Sequence, residues 1–349
     1  MRLPGAVPVW SLVLPTLLAL PQPTTAPAQG RGQCSSSEIA AVADSVAAAF
    51  DVHQFVFIGS THGRKKSHDF ALCLLSRPAF QQRATDVLVE WANPVHQPLV
   101  DRYLLRLEPV AMESLRRVWL DTDAPDLWGR TSLIPEFYST VRAINTGLAP
   151  SRRLRILGGS EPIDWSRVSS SADLAVYPFK NNWAAHAIAE HFAPTPGRRL
   201  LVIYGDAHIH HAGGFLMAEL AGRVDRAQRF VVGTIASLEE QDRERIARLR
   251  DSSRPFYRST RDLPASVPAP EALFYVRERP LGDHVDAIVY LGPEPDRDLS
   301  RSVELTPQER SELDRRALLR GDSRQLMGLR LENRARWFQT HPNDLPARP

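Results

Sequence analysis

Two apolar runs each end in a glycine with a histidine three residues further on: QFVFIGSTH, closing on Gly59-Ser60-Thr61-His62, and LLVIYGDAH, closing on Gly205-Asp206-Ala207-His208. Between them a third run, VLVE, carries Glu90 at its end. A carboxylate there is costly unless it meets a cation or a metal. If the three runs are neighbouring strands, His62, Glu90 and His208 converge. Two imidazoles and one carboxylate are a ligand set for zinc, manganese or iron. Without metal they form a pair of general bases with a charge partner. The bland alternative is a buried ion pair and two helix-capping histidines.

Other residues are candidates for supporting roles. Arg64, two residues after His62, has the chemistry to stabilise an oxyanion or bind an anionic group. His68 follows His62 by six residues, and Asp206 sits beside His208, where it would orient that ring or touch substrate. Asp164, between Ile163 and Trp165, either lines a substrate pocket or shapes a turn. His210 and His211 extend the second motif, but adjacent residues face different ways, so at most one would join His208. No Walker loop, G-x-G-x-x-G, G-x-S-x-G elbow or H-E-x-x-H is present, and a serine hydrolase is therefore disfavoured.

The elements that must hold these residues alternate. A helix is expected near 36–50, a strand at 54–59, a helix at 66–80, a strand at 86–91, and strand character again at 153–157, 200–205 and 229–235. A helix at 181–192 should precede the second motif. This order predicts an α/β fold: a mainly parallel or mixed sheet flanked by helices, with ligands at the carboxyl ends of the strands. From about 97 to 146 apolar residues recur at three- and four-residue spacing, which predicts a helical insertion able to roof the crevice. Further expectations are a charged helix at 238–250, short strands near 272–276 and 287–291, and two tail helices over about 306–338. Thr306 would cap the tail before Pro307, its charges forming a solvated face.

Composition is that of a globular enzyme: 43% hydrophobic, 24% charged, net charge +3. The charge is too small to argue for nucleic acid. Arginine supplies nearly all of the 43 basic residues, the lysines being Lys65, Lys66 and Lys180. Arg2, an apolar region over 6–20 and Ala26-Pro27-Ala28 predict a signal peptide over residues 1–28. The mature chain, 29–349, would be a single exported domain, periplasmic or secreted, with no stable membrane span. Its two cysteines, Cys34 and Cys73, either bridge or stay apart.

The paired G-x-x-H motifs with an intervening glutamate resemble the superfamily that joins TIKI/TraB proteins, ChaN-type haem-binding proteins and erythromycin esterases. The resemblance runs from about Gln54 to Ala236 and implies a cleft holding Gly59, His62, Glu90, Gly205 and His208. The TIKI branch implies a metal-dependent peptidase-like activity, the esterase branch lactone opening, and the ChaN branch haem. THGR at His62 and Arg64 resembles the esterase branch, and His68 resembles the second histidine of the ChaN pattern. Ser60 stands where both of those branches usually carry glutamate.

Two functions of different class follow. One is a hydrolase, metal-dependent or not, that cuts an ester, lactone or amide bond of a small molecule or peptide. The other is a haem- or iron-binding protein without turnover, with His62, His68 or Tyr204 at the iron.

Overall fold

The apolar runs become strands because their side chains are needed on both faces of one sheet. In the computed structural model, which describes residues 34–236, 246–247, 249, 252–264, 267, 279–321, 323–341, 345 and 347–348, the strands are β1 (Phe55–Ser60), β2 (Asp86–Val89), β3 (Arg155–Gly158), β4 (Leu200–Gly205), β5 (Arg229–Ile235), β6 (Phe256–Ser259) and β7 (Ala287–Tyr290). They lie in the order β3-β2-β4-β1-β5-β7-β6. Every pairing is parallel except β6 with β7. The fold is therefore α/β with a mixed, mostly parallel sheet.

Alternation along the strands sorts the core into two layers. Val56, Ile58, Val87, Val89, Leu201 and Ile203 face one cluster, with the helices α1 (Ser37–Ala48) and α2 (Lys65–Ser76) and the insertion supplying Phe70, Trp119 and Phe137. Phe55, Phe57, Leu88, Val202 and Tyr204 face the other, packed on the Lys180–Ala187 and Phe215–Leu220 helices through Ala184, Ala185, Leu216 and Leu220. The region expected as a helical insertion holds the helices Gln97–Leu104, Met112–Leu120, Pro125–Gly129 and Leu133–Thr146.

Three differences have local causes. The helix expected over 66–80 stops at Ser76 and restarts at Pro78, because proline disfavours helical geometry at Arg77, whose ψ is 130°. The antiparallel edge strand β6 was not anticipated, since FYRS is half polar and only Phe256 in it is buried. The tail helices Pro307–Arg320 and Ser323–Thr340 do form, with a capping box at Thr306. Their charges are not all solvated, however, since Arg316 and Arg330 are buried on carboxylate partners. The segment 1–28, the strand expected near 272–276 and most of the helix expected at 238–250 lie outside the described residues. No described helix is long and apolar enough to cross a membrane.

Cys34 and Cys73 form a disulfide that ties the start of α1 to α2 across 39 residues. Closing a loop of that length in the unfolded chain is worth about 3–4 kcal/mol. Thermal unfolding of the purified chain with and without dithiothreitol should therefore show a clear drop in midpoint on reduction, and Cys34→Ser should reproduce it without reductant.

Candidate functional site

Parallel pairing brings three strand ends to one rim. β4 lies between β1 and β2, with Ser60 opposite Gly205 and Val89 opposite Ile203. His62, Glu90 and His208 thus leave the sheet side by side. The two motif glycines serve close approach rather than unusual dihedrals. A Cβ on Gly205 would sit 2.8 Å from the His62 ring and 3.2 Å from Glu90 Oε2, and one on Gly59 would collide with the Asp206 carboxylate. Gly63, at φ +72°, makes the turn from His62 into α2.

Glu90, 1% exposed, is the centre. Its Oε2 accepts the Gly205 N–H at 2.7 Å, and its Oε1 accepts the Lys180 ammonium at 2.6 Å. His208 Nε2 lies 3.4 Å from Oε1 and His62 Nε2 4.0 Å from Oε2. Lys180 also meets Asp123 Oδ2 at 3.2 Å. Asn181 Oδ1 is 2.8 Å from His208 Nδ1 and sets the orientation of that ring. Trp128 abuts His62 in a T-shaped contact at 4.6 Å between ring centroids.

Burial by itself would raise the Glu90 carboxyl, but Lys180, His62 and His208 outweigh it and hold the pKa down at about 2. Lys180 has the mirror-image balance: burial pushes it down, while Glu90 and Asp123 push it above the ordinary lysine value. Both imidazoles are lowered, chiefly by burial, with Glu90 opposing. Near neutral pH the rim therefore holds a fixed carboxylate, a fixed ammonium and two neutral imidazoles, each with a nitrogen facing the carboxylate.

Lys180, Asp123 and Asn181 were not singled out from the sequence. The rarity of lysine in an arginine-rich chain was the available signal for Lys180. Arg64 pairs through its backbone with Asp298, and no hydrogen bond joins its side chain to Glu90 or either histidine among the described residues. It does line, with His62, Trp91, Trp128 and His68, a cavity of about 30 Å³. His68 is buried against Phe137, with burial pushing its pKa down to about 3. Asp206 is buried beneath Gly59. Asp164 caps the Trp165–Arg167 turn and lines a separate groove with Tyr177 and Trp337. His211 binds Asp286 at 2.8 Å, and His210 is buried beside His284.

The residues fit a resident cation only in part. Lys180 already fills the position next to Glu90 that a divalent ion would take, and the two histidines approach different carboxylate oxygens. Among the described residues, the group whose ligand atoms come within 4.8 Å of one another is His68, Asp69 and Glu136. There too a lysine is in place, since Lys65 contacts Asp69 and lies 3.6 Å from Glu136. For haem, Tyr204 is fully buried and donates its hydroxyl to the Gly159 carbonyl. A 30 Å³ cavity beside His62 and His68 admits a water or two rather than a porphyrin.

No family model and no curated protein matches the chain. Among solved structures it is similar to the type III effector HopBA1, at 13% identity and TM-score 0.39, over 72% of this chain and 92% of that one. It is also similar to ChaN of Campylobacter jejuni, a structure described for cofacial heme binding, at 14% identity and TM-score 0.36, over 55% of this chain and 84% of that one. Superpositions this loose carry no argument about activity.

Asp206 offers a measurement that needs no substrate. Burial raises its pKa from 3.8 to about 7, so the folded chain keeps a proton that the unfolded chain releases. The associated stability is present in full below pH 3.8 and is lost as pH rises through about 7, a loss on the order of 4 kcal/mol. Urea unfolding of Asp206→Asn and the parent should show a gap that moves in favour of the variant between pH 4 and pH 7 and then levels off. A gap independent of pH would mean that Asp206 is not held protonated.

Proposed function

We propose that this chain is a hydrolase that cuts an ester, lactone or amide bond of a small molecule or peptide without a metal ion. The observation that carries the reading is the buried, ionised Glu90 shared by an ammonium and two neutral imidazoles at the carboxyl-end rim of a parallel sheet. In this mechanism His62, beside a water-sized cavity, removes a proton from the attacking water. Glu90, 4.0 Å away, stabilises the imidazolium that forms. Lys180 has three donors, of which Glu90 and Asp123 take two. The third is available to the carbonyl oxygen, where negative charge develops. The His62 imidazolium then returns its proton to the leaving group, while His208, its Nδ1 turned to Asn181 Oδ1, keeps its place beside Glu90. The disulfide is compatible with export, which the leader-like residues 1–28 led us to expect.

Hydrolysis of a panel of 4-nitrophenyl esters, lactones and anilides tests this. Turnover should survive EDTA and fall by about 10²- to 10⁴-fold in His62→Ala. Because burial lowers the His62 pKa below its usual 6.5, the rate should be level at neutral pH. It should decline only in acid below pH 6.5, as the base becomes protonated. Loss of activity on chelation would replace this mechanism with a metal-dependent one. A Soret band on haem addition that disappears in His68→Ala, with no turnover on any substrate, would favour the ligand-binding alternative.

A further inference from the structure

Phe215 is 57% exposed, and it is the one aromatic among the large exposed hydrophobic residues described. It sits on the His208 ring, edge to face, at 5.5 Å between centroids. Isolated exposed apolar side chains are common on protein surfaces, so exposure alone would mean little. Its placement is specific, though. The chain turns at Gly213, with φ +100°, and passes so close beneath itself that a Cβ on Gly214 would meet the backbone of His210 and His208 within 2.8 Å. Gly214 N–H donates to the His210 carbonyl at 2.9 Å. This double-glycine return carries the start of the Phe215–Leu220 helix back over His208.

Leu216, Met217 and Leu220 anchor that helix in the core. Phe215 is on its outer face, where a polar residue would serve folding equally well. Its ring is therefore free to cover something other than the protein's own interior. His208 in turn lies 3.4 Å from Glu90 Oε1, the oxygen that also receives Lys180. Phe215 is thus joined to the Lys180–Glu90 pair through a single intervening side chain, His208.

We infer that Phe215 is a specificity residue and that the substrates are uncharged carbonyl compounds bearing an apolar ring or branched group next to the carbonyl. The chemistry of the cleaved bond rests on the hydrolase reading, but the binding preference does not. A charged substituent would be unsuited to this position, because Phe215 offers it no partner and Glu90 and Asp123 already share the one ammonium.

Calorimetric titration of the purified chain with benzamide, against acetamide as the control lacking a ring, reads the preference directly. Benzamide should bind more tightly than acetamide. Phe215→Ser should weaken benzamide by about tenfold, while Phe215→Leu keeps most of the affinity. Since the side chain is largely exposed, neither variant should disturb folding, and an unchanged thermal midpoint checks this. In parallel, the ratio of kcat/KM for 4-nitrophenyl benzoate over 4-nitrophenyl acetate should fall about tenfold in Phe215→Ser. Benzamide that fails to bind the parent, or binds Phe215→Ser equally well, overturns the inference. Phe215-dependent benzamide binding with neither ester cleaved leaves the inference standing and removes the hydrolase reading. Ester cleavage with an unchanged preference in Phe215→Ser does the reverse.

Discussion

The contact between Lys180 and Glu90 is the constraint on which the site depends. A carboxylate 1% exposed at the end of a strand survives only with a full set of partners, and here an ammonium, a backbone N–H and two imidazoles supply them. Breaking such a buried pair by removing one member leaves an uncompensated charge, a cost of about 3–5 kcal/mol. Because Glu90 is shared, the same pair fixes where His62 and His208 sit and which charge state they face.

That contact is itself held in place from far along the chain. Arg316, on the first tail helix, donates to Asp121 Oδ1 at 2.7 Å and to the Leu120 carbonyl at 2.8 Å, steadying the segment that carries Asp123. Arg330, on the second, donates to the carbonyls of Tyr177 and Pro178 and pairs with Glu161 at 3.0 Å, steadying the approach to Lys180. The guanidinium suits this work because its planar fork satisfies several oxygens at once. The insertion and the tail are thus supports for the rim as well as covers for the sheet.

Two of the three lysines do something different. Lys180 sits among Glu90 and Asp123, and Lys65 between Asp69 and Glu136. A compact ammonium enters a gap between two carboxylates that a guanidinium would overfill. In both clusters it provides the positive charge that a metal would otherwise bring.

Much of the rim was legible in the sequence because its causes are local. Apolar runs such as FVFI and LLVIY become buried strands wherever a sheet exists, and parallel strands expose their carboxyl ends on one edge, so His62, Glu90 and His208 could be grouped from spacing alone. The two motif glycines also announced a close approach, although what approaches, the His62 ring at Gly205 and the Asp206 carboxylate at Gly59, was not readable. Lys180, Asp123 and Asn181 carried no motif, since their roles arise from segments that meet only after the insertion and the tail have packed. The buried arginines of the tail were hidden for the same reason: a helix rich in charge reads as solvated until carboxylates remote in sequence, Asp121 for Arg316 and Glu161 for Arg330, are brought to it. Periodicity along the chain determined the sheet and the edge that carries the histidines. Tertiary packing alone decided which cation neutralises Glu90, because that depends on distances between residues with no fixed separation in sequence.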